Sequence, residues 1–227
     1  DWQALAKARM ALRGDKTGAS ALIESIPVAL KSDPGLAYER FLWRMRRDNY
    51  PDAVALLLER SDSPAALGRP ELWAERRALL ARWLMRKGDA ADAYRVAASH
   101  QMTGGDGFVD LEFLAGFIAL RKLDDPDPAL RHFVALKAAV QTPISLSRAD
   151  YWTGRAREAK GDAAGAKAAY QSAAQHQTAY YGRLAAEKLG LSLDPALVNV
   201  GEPQRGYKTA PFAESSVLKA ARLLAAI

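Results

Sequence analysis

Apolar residues recur at helical spacing along most of this chain, and the breaks in that period fall at short polar turns. The clearest case runs from Arg148 to His176. Its first half is helical up to Lys160, where Gly161 can take the left-handed conformation that closes a helix and Asp162 can cap the next. In the second half Ala166, Ala169, Tyr170 and Ala173 stand at i, i+3, i+4 and i+7, which places one apolar stripe against the preceding helix. Small Gly154 and Ala166 let the two backbones approach, and Tyr170 fills the space beside them. The segment is predicted to be a helical hairpin with the small and large positions of a tetratricopeptide-like repeat.

The unit recurs. Aligning the small residue near the start of each second helix gives Ala19, Ala53, Ala93, Ala129 and Ala166, separated by 34, 40, 36 and 37 residues. A turn signal precedes each: Gly14-Asp15, Asp48-Asn49 with Pro51, Gly88-Asp89, Asp124-Asp125 with Pro126 and Pro128, and Gly161-Asp162. One helix pair cannot bury its stripe alone, so five in series predict an all-α, right-handed superhelix, a solenoid of TPR-like hairpins.

In order, helices are expected over 2–13, 17–26 (stopped by Pro27), 38–47, 71–87, 90–100 and 179–189, the last ended by Gly190. Ser32-Asp33-Pro34-Gly35 is expected as a turn and 61–70 as a loop. Residues 191–212, rich in proline and glycine, are expected to form a linker or extended crossing, followed by a helix from about Ala213 that is still apolar at Ile227. The domain reading is therefore a repeat domain over 1–190, the connection over 191–212, and a cut-off segment over 213–227.

Composition narrows the class. Hydrophobic residues make up 49% of the 227, too many for disorder, while no apolar run reaches the ~20 residues of a membrane span. Cysteine is absent, which excludes thiol catalysis and disulfides. The formal charge of +6 favours an anionic partner. Lysine and arginine are nevertheless interspersed with 26 acids, without a dense basic run, so nucleic acid is not expected. With Asp1 rather than methionine first, the chain is expected to be a processed protein or a cut-out fragment.

Candidate chemistry is sparse. Arg40, Arg44 and Arg47 share one side of a helix whose other side carries Phe41, Leu42 and Met45. They read as a solvated face, since no neighbouring helix extends them into a binding stripe. The glycine-rich Thr103–Gly107 lacks the Lys-Ser or Lys-Thr of a phosphate loop and reads as a plain connection. Asp124, Asp125 and Asp127 lack the glycine and glutamate of a calcium loop and read as a capping turn. His100, His132 and His176 fall in different units, so no metal site and no cofactor are assigned. Trp43, Trp73, Trp83 and Trp152 lie in helices where core packing is the ordinary role.

Three stretches resemble one family. Phe113-Leu114-Ala115-Gly116-Phe117-Ile118-Ala119-Leu120-Arg121 leading to Ala129-Leu130-Arg131-His132-Phe133 is the first, and Thr142-Pro143-Ile144-Ser145 running into Tyr151-Trp152-Thr153-Gly154-Arg155-Ala156 is the second. Tyr180-Tyr181-Gly182-Arg183-Leu184-Ala185-Ala186-Glu187-Lys188-Leu189-Gly190 is the third. They resemble the superhelical domain of soluble lytic murein transglycosylases and cover about residues 70–190. The resemblance implies a periplasmic module that guides glycan strands to a downstream lysozyme-like domain. That domain cleaves the MurNAc–GlcNAc bond without water and leaves 1,6-anhydromuramoyl ends.

The same resemblance implies peptidoglycan strands as the ligand, and cell-wall, secretion or flagellar assembly proteins as further partners. The family's catalytic Glu-Ser is followed by Gly-Leu-Met-Gln. Here Glu24-Ser25 and Glu214-Ser215 are not, so both glutamates are expected as helix residues and no catalytic residue is assigned in this chain. Tyr180, Tyr181 and Arg183 are the candidate glycan contacts, because two adjacent tyrosines on a helix cannot both face inward. The alternative function is a non-catalytic TPR-like scaffold whose groove takes a peptide or partner helix.

Overall fold

The computed structural model describes residues 1–14, 17–198 and 210–225. These are all-α, with no strand among the described residues. One compact unit spans Asp1–Leu191. It comprises α1 (Trp2–Arg13), α2 (Ala19–Glu24), a 3-10 turn (Val28–Leu30), α3 (Pro34–Met45), α4 (Tyr50–Arg60) and α5 (Pro64–Leu67). It continues with α6 (Pro70–Lys87), α7 (Ala90–Ala98), α8 (Asp106–Lys122), α9 (Pro126–Ala138), α10 (Pro143–Ala159), α11 (Ala163–Ala174) and α12 (Tyr180–Lys188). A second unit, Ser192–Ile227, contains α13 (Pro195–Val198) and α14 (Ser216–Leu224).

Four of the hairpins share one turn. Asp48, Gly88, Asp124 and Gly161 each have positive φ (51°, 92°, 51° and 77°), and the next residue, Asn49, Asp89, Asp125 or Asp162, stands at the N-terminus of the following helix. Aspartate is among the few non-glycine residues that tolerate this left-handed region, so Asp48 and Asp124 take the place of glycine. The reversal also closes the helix before it: Asn49 N donates to Arg44 O at 3.0 Å, Asp89 N to Leu84 O at 3.0 Å, and Asp162 N to Arg157 O at 2.9 Å. Five residues beyond each positive-φ position lies Ala53, Ala93, Ala129 or Ala166, every one buried. The first hairpin departs from this rule. Gly14 has φ −81°, and the left-handed residue is Gly18, directly before α2.

Consecutive hairpins pack on one another. α6 contacts α7 and α8, α8 contacts α7 and α9, α9 contacts α10, and α10 contacts both α11 and α12. Close approach within a hairpin rests on glycine. A Cβ on Gly116 would come within 2.6 Å of the Phe133 ring, and one on Gly154 within 2.5 Å of the Tyr170 ring. Phe133 and Tyr170 each lie four residues after the buried alanine of their helix, so the same small-against-large contact is made in two successive units.

A buried cation joins two hairpins. Arg77 of α6 is fully buried, and its Nη1 donates to Val96 O at 2.8 Å and Ser99 Oγ at 3.2 Å, while Nη2 donates to Ser61 Oγ at 2.7 Å. Ser61 and Ser99 terminate α4 and α7, so the guanidinium sits where two helix dipoles present negative ends. Burial pulls its pKa down to about 10, which still leaves it charged at neutral pH. The cost of burying this charge is offset by dipoles and hydrogen bonds, with no carboxylate paired to it among the described residues.

Several expected boundaries move. α3 begins at Pro34, not at residue 38: Asp33 accepts from Leu36 N at 2.7 Å and Pro34 occupies the first turn, so the expected turn at 32–35 is a helix start. Within the expected loop 61–70, Ser63 caps the short α5 in the same way, its Oγ accepting from Ala66 N at 3.2 Å. The terminal helix starts at Ser216, capped by Ser215, rather than at 213. Half of the expected 191–212 connection, residues 199–209, lies outside the described residues, and its described part includes the α13 turn.

Candidate functional site: a polar groove on α9, α10 and α11

Asp150, Thr153 and Arg157 recur at i, i+3 and i+7 on α10 and form one polar stripe. α9 and α11 flank it and close a groove of about 480 Å³. At its floor the buried Asp150 carboxylate is held from both sides, by Lys137 Nζ of α9 at 2.6 Å and Ser172 Oγ of α11 at 2.6 Å. Arg157 Nη1 reaches Asp162 Oδ2 at 3.2 Å, and Asp162 Oδ1 accepts from Gly165 N at 2.9 Å as the cap of α11. Two polar groups lack partners: Thr153 Oγ1 and Arg157 Nε are buried with no hydrogen bond. Val134, Ala138, Ala168 and Ala169 complete the lining.

This arrangement suits binding rather than bond chemistry. It offers cationic donors, a hydroxyl and an acceptor carboxylate against an apolar wall, a mixture that matches amide- and hydroxyl-bearing chains. Its two cations are each paired with an acid, so the groove is close to electrically neutral.

The structure sets the three glycan candidates on α12, apart from this lining. Tyr180 is 70% exposed and lies edge-on to Tyr181, with centroids 5.1 Å apart. Tyr181 is half-buried and packs on Tyr151 at 5.4 Å and Trp152 at 6.4 Å. Arg183 is exposed. The two tyrosines therefore do separate into one outward and one inward residue. Of the tryptophans, Trp73 is fully buried, Trp43, Trp83 and Trp152 are half-buried against core clusters, and Trp2 is exposed.

Two of the histidines meet in a chain the sequence does not announce. Glu112 of α8 bridges them, its Oε1 2.9 Å from His100 Nε2 and its Oε2 2.7 Å from His132 Nδ1. His100 Nδ1 accepts from Met102 N at 3.0 Å, which puts the ring proton on Nε2, facing the carboxylate. His132 Nε2 lies 3.1 Å from the Tyr94 hydroxyl. Burial pushes the Glu112 pKa up, but the two histidine hydrogen bonds outweigh it and hold the carboxyl down at about 2. The four ring nitrogens are thus spent on the carboxylate, a backbone amide and the Tyr94 hydroxyl. The network ties α7, α8 and α9 together.

Glu24 ends α2 and is exposed. Glu214 lies in the turn before α14 rather than within the helix, is exposed, and pairs with Lys219 at 2.7 Å. Neither lies in the closed cleft that acid catalysis by a carboxyl group requires.

The groove residues Lys137, Asp150, Thr153, Arg157 and Ser172 were not singled out from sequence. The polar i, i+3, i+7 stripe on α10 is a signal for Asp150, Thr153 and Arg157; Lys137 and Ser172 stand on the flanking helices and carry none. No family model, no curated protein and no solved structure matches this chain.

Proposed function

We propose that residues 1–190 form a right-handed, TPR-like superhelical domain of the kind found in soluble lytic murein transglycosylases. In this reading the chain positions periplasmic glycan strands for cleavage by a lysozyme-like domain that it does not itself contain. The observation that carries the architecture is the shared turn, with its buried alanine five residues on, in four consecutive hairpins. The functional part rests on the three family-like stretches. Exposed Tyr180 near Arg183 supports it: an aromatic face for a sugar ring and a cation for a peptide-stem carboxylate stand on one short helix.

The test pairs two measurements. The purified chain is sedimented with peptidoglycan sacculi, and the complete gene product is incubated with them and the soluble products weighed by mass spectrometry. Binding by the chain and anhydromuropeptides from the complete protein are the expected results. Absence of anhydro products from the complete protein overturns the reading.

A second reading, a peptide-binding scaffold, is favoured by one observation: the neutral, half-apolar groove on α9–α11 fits an extended peptide better than a polyanion. Retention of the chain on a peptide library, with no affinity for sacculi, would select it.

A further inference from the structure

The arginines of α3 surround an acceptor-poor cavity. Between α1, α2 and α3 lies a space of about 130 Å³ with Leu12 and Ile23 on its apolar side and Ser20, Arg40, Trp43 and Arg44 on its polar side. Arg40 has no hydrogen-bond or ion-pair partner among the described residues. Arg44 is half-buried and spends Nη1 on a carbonyl, Asp52 O, at 3.1 Å. The Trp43 indole Nε1 is buried without an acceptor. Arg47 stacks over the Trp43 ring at 4.0 Å, which fixes the indole.

Among the described residues the lining carries two cations and no carboxylate. Arg40 and Arg44 are i, i+4 neighbours of like sign on one helix, an arrangement that destabilises it. Burial, and next the charge of Arg40, lower the pKa of Arg44, while Asp52 and Glu59 act the other way. Of those two, Asp52 is already engaged by Asn49 Nδ2 at 2.8 Å. Glu39, the buried acid of α3, is committed to Arg13 and Arg9. Two guanidinium groups, an indole N–H and a hydroxyl around a cavity this small form a donor set for a compact oxyanion.

We propose that this cavity binds a small oxyanion, a carboxylate or phosphoryl group, through Arg40, Arg44 and the Trp43 indole, with Ser20 at the rim. The site is independent of the glycan reading and uses none of its residues.

The test follows the Trp43 indole N–H in ¹⁵N-correlated spectra, its peak identified by its loss in Trp43→Phe. The folded chain is titrated with inorganic phosphate, with acetate, and with chloride at matched ionic strength. A saturable shift of that peak with phosphate or acetate, absent with chloride, is expected. Arg40→Gln should weaken the affinity about tenfold or more, the scale of one charge-assisted hydrogen bond, while the other indole peaks stay in place. Phosphate strongly preferred over acetate identifies a phosphoryl ligand; acetate strongly preferred over phosphate identifies a carboxylate. An unmoved peak, an equal response to chloride, or unchanged affinity in Arg40→Gln overturns the proposal.

Discussion

The Cα of Gly154 faces the ring of Tyr170 so closely that a Cβ would lie 2.5 Å from Cε1. Glycine inside a helix ordinarily costs about 1 kcal/mol relative to alanine. Packing reverses that sign here, because Tyr170 is buried and cannot swing into solvent. Gly154→Ala should destabilise the unit by about 1–3 kcal/mol. Denaturant unfolding checks this, and Gly154→Ala with Tyr170→Leu should recover part of the loss; equal losses in the single and double variants would contradict the contact.

Glu112 makes stability depend on acid. Its folded-state pKa of about 2 lies below the ordinary 4.5, so the carboxylate contributes stability that is fully present above that ordinary value. The contribution disappears as pH falls from 4.5 towards 2. Replacing it by Gln leaves one of the two histidine N–H groups facing a donor instead of an acceptor and should cost roughly 1–3 kcal/mol at neutral pH. Circular dichroism followed between pH 6 and pH 2 should show a shallower acid transition in Glu112→Gln than in the wild type.

Arg77 is predicted to tolerate neither methionine nor lysine. Methionine fills the volume but leaves Val96 O unpaired at the end of α7; lysine keeps the charge but lacks the planar fork that spans α4 and α7. Both variants should lose about 2 kcal/mol or more, because each charge-assisted hydrogen bond is worth roughly 1.5–3 kcal/mol. Thermal unfolding separates the outcomes: an unshifted midpoint in Arg77→Met would mean that burying the cation costs as much as its bonds return.

The two tyrosines of α12 should part company. Tyr180→Ala removes an exposed ring and should lower sacculus binding about fivefold, the scale of one aromatic contact, without changing the unfolding curve. Tyr181→Ala removes a ring packed on Tyr151 and Trp152 and should lower stability. Sedimentation with sacculi alongside thermal unfolding reads both effects.

What the sequence determined by itself was local. The turn at Gly161-Asp162, the close approach at Gly154, the turn-and-alanine pattern of four of the five units and the stripe Ala166-Ala169-Tyr170-Ala173, of which only Ala169 is half-buried, were legible, because helix period, positive φ and capping are properties of a few adjacent residues. Starts such as Asp33-Pro34 and Ser63-Pro64 carried the same signal in a form equally typical of turns, since Asp-Pro and Ser-Pro open both.

Tertiary structure alone decided which polar residues meet. Arg77 finds Ser61 and Ser99, Glu112 finds His100 and His132, Asp150 finds Lys137 and Ser172, and Arg40 and Arg44 come to line a cavity with Ser20. These partners come from different helices, and their distance depends on how one helix seats on the next. The apolar period specifies that a face is buried. It leaves open which residue of the neighbouring helix lies opposite, and that choice is made by the shapes of side chains packed together.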